Sequence, residues 1–135
     1  MATKVFINLP VKDLNATNEF FTKLGYQFNS QFSNDKATCM VVSEHIYIML
    51  LVEDFFKGFT NSAICDTSKS NEVIVCLSAD SREAVDEIVK KAVDAGATTP
   101  SAPQDHGFMY GYGFTDLDGH LWEFSYMDPT YVHQA

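Results

Sequence analysis

The sequence has no long apolar run, no paired-cysteine framework and few basic residues, and each shortage excludes something. The longest uninterrupted apolar stretch runs from Ile46 to Val52, seven residues, against the roughly 20 that a membrane-spanning helix needs. It reads as a buried strand, and no membrane partner is expected. The opening MATKVFINLPVKD lacks the basic stretch and apolar core of a targeting segment, so a cytoplasmic setting is expected. Nine Lys and Arg face eighteen Asp and Glu, for a formal net charge of −9. Phosphate binding draws on clustered cations. The one adjacent basic pair, Lys90-Lys91, shares its helix with Glu87 and Asp94 and reads as a solvated face. Nucleic acid is therefore not an expected partner. The three cysteines, Cys39, Cys65 and Cys76, form no C-x-x-C pair and read as reduced thiols.

What the chain does have is apolar and aromatic material: 46% of its 135 residues are hydrophobic, with eleven Phe and six Tyr. That suffices for one domain with a real core. Residues 4–11 alternate as a strand. Asp13 then supplies a helix N-cap, and Leu14, Thr17, Phe20, Phe21 and Leu24 recur at helical spacing until Gly25 stops the helix. Strands are expected over residues 26–33, 37–43 and 45–52, with a turn at Asn34-Asp35-Lys36. Residues 53–70 break the pattern. They open on EDFFKGF, a short helix with an apolar cluster of Phe55, Phe56 and Phe59, and continue as a polar joint. The order then repeats. A strand over residues 72–79 leads to Asp80 and Glu83, spaced as a capping box. Val85, Ile88, Val89 and Ala92 form a helical stripe. Short strands follow over residues 97–101, 107–115 and 120–126, the last two joined by the turn Asp116-Leu117-Asp118-Gly119.

Residues 6–24 and 74–92 thus superpose in pattern with little identity, a duplication of one strand-helix-strands unit. The expected domain is single and α+β: module one over residues 1–60, a joint over 61–70, and module two over 71–128.

The residues that mark these junctions resemble a known superfamily. Leu9-Pro10-Val11-Lys12-Asp13-Leu14 is similar to its first strand-to-helix junction, and Phe20-Phe21-x-x-Leu24-Gly25-Tyr26 to its F-Y-x-x-L-G-F. Phe114-Thr115-Asp116-Leu117-Asp118-Gly119-His120-Leu121-Trp122-Glu123 resembles F-x-D-P-D-G-x-x-W-E. That superfamily is the glyoxalase, bleomycin-resistance and extradiol-dioxygenase group, the vicinal-oxygen-chelate proteins. The resemblance implies two βαβββ modules forming a cupped eight-stranded mixed sheet with helices on its outer face, and commonly a homodimer. In its enzymes it implies a divalent metal held by residues from the first and last strands of each module. Those places correspond here to Phe6, Met49, Ile74 and Glu123. Only Glu123 is of ligand type, and one carboxylate does not hold a divalent ion. The expectation is that the usual metal site is lost, that no cofactor is required, and that Phe6, Met49 and Ile74 line an apolar pocket.

Candidate chemistry then rests on few residues. Glu123 alternates away from Trp122 and Phe124 and is a candidate general base or ligand anchor. Asp105 and His106 stand together as a possible acid–base pair. Met109 shares a strand face with Gly107, Gly111 and Gly113, where a ligand can come close. Tyr110 and Tyr112, on the other face, complete the candidate ligand-binding set. His45 reads as a turn residue, His120 as an exposed turn residue, and His133 as part of a polar tail. Three functions follow: a metal-free protein binding a small apolar or aromatic molecule, a metal-free enzyme using Glu123 or His106 as base, and a metal-dependent lyase, isomerase or dioxygenase.

Overall fold

The computed structural model describes residues 2–131. They form two compact units that divide between Cys65 and Asp66.

The first unit carries β1 (Val5–Val11), α1 (Leu14–Lys23), β2 (Gln27–Asn29), β3 (Ala37–Val41), β4 (Ile46–Val52) and the short α2 (Glu53–Phe56). Its sheet has the order β1-β4-β3-β2, with β1 parallel to β4 and the remaining pairs antiparallel. Asp13 caps α1 as expected, its carboxylate accepting from the Ala16 amide at 3.1 Å. Leu14, Thr17, Phe20 and Phe21 form the buried face of α1. They lie against β3 and β4, where Met40, Ile48 and Leu50 are fully buried. Burying each such side chain contributes about 1.5–3 kcal/mol. β2 is shorter than expected because the Asn29 side chain accepts from the Gln31 amide at 3.0 Å. That bond turns Ser30–Phe32 into a single 3₁₀ turn. The turn at residues 34–36 is held by the Asn34 side chain, which accepts from the amides of Lys36 and Ala37.

The second unit carries β5 (Ile74–Ser78), α3 (Arg82–Asp94), β6 (Gln104–Asp105), β7 (Met109–Thr115) and β8 (Leu121–Met127). Its order, β5-β8-β7-β6, repeats that of the first unit, again with the first and last strands parallel. Together the units hold eight strands in two four-stranded mixed sheets. This is the α+β, two-module architecture. Two expectations change. The cap of α3 is Ser81, whose hydroxyl accepts from the Ala84 amide at 3.0 Å; the helix starts one residue later than the Asp80 and Glu83 spacing suggests. The strand expected over residues 97–101 reduces to one bridge, Thr98 to Thr115. Pro100 and Pro103 lack the amide protons to extend a ladder.

The turn between β7 and β8 is tightly held. Asp116 is buried, and three donors converge on its carboxylate. The amides of Asp118 and His120 reach Oδ1 at 2.9 and 3.0 Å, and the Trp122 indole N–H reaches Oδ2 at 2.8 Å. Gly119 closes the turn with φ +82°, and a side chain there would also overlap the Thr67 hydroxyl. The polar joint is tied to the same turn. Thr67 Oγ1 donates to the Asp118 carbonyl at 2.6 Å, and Asn71 Nδ2 donates to the Gly119 carbonyl at 3.4 Å. His120, expected to be exposed, is only 2% exposed. Its Nδ1 lies 3.1 Å from the Glu72 carboxylate.

Burial pushes the Asp116 carboxyl above the usual carboxylate range, while His120 and the three donors pull it back. The folded chain therefore holds this proton more tightly than the unfolded chain. The stability linked to it is fully present below the unfolded value and is lost as pH rises through the folded one. Asp116→Asn cannot satisfy all three donors and is expected to cost about 1–3 kcal/mol at neutral pH. The variant also lacks the titration. Urea unfolding should therefore show its deficit against wild type growing as pH falls from neutrality toward the ordinary carboxyl value of 3.8. A deficit that shrinks toward acid would contradict this account.

Candidate functional site

The sheet of the second unit has two unlike faces. Cross-strand register puts Val75, Trp122, Phe124, Phe114, Tyr112 and Tyr110 on one face, where α3 lies against β7 and β8. Phe114 stacks on Trp122 and Phe124, at centroid distances of 6.4 and 5.8 Å. The other face carries Ile74, Cys76, Leu121, Glu123, Gly113, Gly111 and Met109. Part of it is concave, a pocket of about 260 Å³. Its floor is Gly111, Gly113 and Leu121, and Glu123 and Met109 stand in it. Gln104, His106 and residues 100–102 form one wall.

Two glycines make that floor, and they differ. A side chain at Gly111 would find its nearest neighbour, the Phe124 carbonyl oxygen, at 3.8 Å. One at Gly113 would overlap the Trp122 carbonyl oxygen and press on Glu123, whose Cγ would be 3.1 Å away. Gly113 is thus required by the close approach of β8. It also leaves room for the Glu123 stem to lie across it, since the two residues are register partners.

Of the expected site residues Glu123, His106 and Met109 come together at this pocket; Tyr112 also borders it, although register puts its side chain on the helix face. Glu123 points away from Trp122 and Phe124, as alternation required, and its side chain is exposed. Asp105 does not orient His106. It forms an ion pair with Arg82, Oδ2 to Nη1 at 2.6 Å, and accepts from the Gly107 amide at 2.9 Å. Tyr110 requires a correction. Its hydroxyl donates to Asp86 of α3 at 2.5 Å, and the Arg82 guanidinium lies 5.3 Å from its ring centre. The bond to Asp86 pushes the Tyr110 phenol up to about 12. This residue serves the helix face and not the pocket. Ile74 lies on the same face as Glu123 and is 53% exposed, but stands outside the pocket.

Phe6 and Met49 belong to the first unit. Phe6 is 51% exposed and stacks on Tyr47, 4.9 Å between centroids. Met49 is half-buried on β4. Register adds two residues that the motif alignment passed over: Asn8 is the cross-strand neighbour of Met49, and Cys76 that of Glu123. Counting the parallel ladder from its first pair would have found both. The Cys76 thiol is pushed up by burial and then by the Glu123 carboxylate, so this is not an activated thiolate. His45 sits exposed in its turn, and His133 lies outside the described residues.

The metal that this fold carries in its enzymes needs three or more protein donors. Among the described residues no group of three His, Cys, Asp or Glu stands where it can hold an ion. At the four corresponding places the side chains are aromatic, thioether, aliphatic and one carboxylate. That set does not fit a divalent ion.

Known proteins agree with the fold. Residues 3–43 match the family described as bleomycin resistance protein-like N-terminal. A hypothetical protein from S. aureus is 28% identical, over 93% of this chain and 95% of that one, with a TM-score of 0.79. A glyoxalase-related enzyme from Fulvimarina pelagi is 17% identical, over 100% of this chain and 94% of that one, also at 0.79. A fosfomycin resistance protein from Listeria monocytogenes is 22% identical, over 93% of both chains, at 0.65. No curated protein matches the sequence. The chain has the fold of the glyoxalase, bleomycin-resistance and dioxygenase proteins, the vicinal-oxygen-chelate superfamily.

Two substitutions separate floor from helix face. Gly113→Ala is expected to destabilise the chain by about 1–3 kcal/mol in denaturant unfolding, because backbone must move to admit the methyl group. Tyr110→Phe should cost about 0.5–1 kcal/mol for the lost bond to Asp86, and should leave small-molecule affinity unchanged in a titration.

Proposed function

We propose that this chain is a metal-free binding protein of the bleomycin-resistance kind, whose second unit holds a small apolar or aromatic molecule against the glycine floor. The observation that carries the reading is the pocket itself. It joins a flat apolar floor to a few polar groups, Glu123, Gln104 and His106, which is the usual make-up of a small-molecule site. Glu123 is the anchor in this reading. It accepts hydrogen bonds from a ligand's N–H or O–H group, while Leu121 and Met109 contact the ligand's apolar part. Loss of the usual metal belongs to the same proposal, supported by the donor set at the four corresponding places. The match of residues 3–43 to a bleomycin resistance protein-like family favours sequestration. A homodimer in the cytoplasm completes the proposal. The three free cysteines suit a reducing compartment, and sedimentation would read the assembly.

A second reading, metal-free catalysis, draws on one specific feature: Glu123 and His106 line the same pocket. A carboxylate and an imidazole on one bound molecule can remove and return a proton.

Metal analysis of the purified protein is expected to find sub-stoichiometric divalent ions, and a stoichiometric ion would sink both readings. A thermal-shift screen of small aromatic compounds should then yield a stabilising ligand; one present at 100 times its Kd adds about 2.7 kcal/mol. Glu123→Gln should weaken a donor-bearing ligand by about tenfold. A variant that binds with unchanged affinity but loses turnover would favour the catalytic reading instead.

A further inference from the structure

We infer that Arg82, the first residue of α3, is a positioning residue that fixes one wall of the pocket from behind. The inference rests on the pocket being the ligand site. The wall is the hairpin of β6 and β7; on its β7 side the turn is held by Phe108, which stacks on Tyr131 at 4.5 Å and accepts from the Asp128 amide at 2.8 Å, while its β6 side has less to hold it. β6 is two residues long, and residues 98–107 are exposed throughout. The hairpin presents Gln104 and His106 to the pocket. Asp105, between them, projects from the opposite face as strand alternation requires. Arg82 grips that middle residue. Nη1 lies 2.6 Å from Asp105 Oδ2, and Nη2 donates to the Gly107 carbonyl at 2.8 Å. Asp105 in turn accepts from the Gly107 amide. The guanidinium also lies over the Tyr110 ring, which α3 holds separately through Asp86.

One planar fork therefore joins the end of β6 to the hairpin's turn, and a planar fork is what two acceptors at fixed separation select. Lysine can reach only one of them. Releasing the fork frees Asp105, and its two neighbours lose their fixed aim into the pocket. Arg82 touches no part of the pocket and acts only through the hairpin.

Hydrogen exchange tests this without a ligand. In Arg82→Ala the His106 amide, bonded to the Met109 carbonyl at 2.8 Å, should exchange about tenfold faster, while Val89 in α3 and Phe124 in β8 keep wild-type rates. Arg82→Lys should fall between the two proteins. An unchanged His106 rate, or acceleration spread evenly through the unit, would overturn the proposal. Asp105→Asn should reproduce the effect, and the double variant should add little to it. The dye Nile red, neutral, flat and aromatic, then reads the pocket. Its Kd should rise about tenfold in Arg82→Ala. An unchanged Kd beside a loosened hairpin would remove Arg82 from any role in binding. If the wild-type protein fails to bind the dye while exchange behaves as expected, the positioning role stands and the pocket reading loses support.

Discussion

The second unit depends on one buried carboxylate. Asp116 gathers two backbone amides and an indole N–H, and each fixes a different part of the structure. The amides set the turn between β7 and β8, and with it the register that places Glu123 opposite Gly113. The indole locks Trp122, the largest fully buried side chain, into the layer beneath α3. The polar joint and the residue that follows it then fasten to the finished turn through Thr67 and Asn71. A charge is costly to bury. It is tolerated here because every donor it meets is itself a group that needs an acceptor in the interior.

The same residues explain why this part of the fold was legible in the sequence. An Asp, a Gly and a Trp at fixed spacing describe a turn, a positive φ and an indole hydrogen bond, all local. The helices were equally legible, since Asp13 and the stripe from Leu14 to Phe21 act within a few residues of one another. What was not legible depends on competition or on distant partners. Asp80 and Ser81 both suit a helix cap, and only geometry chooses Ser81. His120 follows a turn glycine, yet it is buried, with Glu72, far back in the chain, 3.1 Å from its Nδ1. For Tyr110 the strand pattern gives the face of the side chain without telling what covers that face, here Asp86 and Arg82 of α3.

The site was legible as a place and less so as a set of groups. Met109 and the glycines share a face by alternation, and Glu123 follows from the resemblance of residues 114–123, with alternation giving its direction. Arg82 and Gln104 were not legible, because they reach the pocket through a hairpin whose pairing begins only after two prolines. The large apolar side chains at Phe6, Met49 and Ile74 are equally informative. They put aromatic, thioether and aliphatic groups at three of the four places where the resemblance implies metal ligands, so the fold alone does not name the chemistry.

The two floor glycines give the pocket an uneven capacity for change. Gly113 is fixed by the carbonyl oxygen of the neighbouring strand, so its place cannot be used to alter the cavity. Gly111 has ordinary contact distance above it. A methyl group there shortens the pocket without disturbing the ladder, and larger side chains would fill it by degrees. A single substitution at Gly111 can therefore reshape this cavity, while Gly113, two residues on, is closed to change.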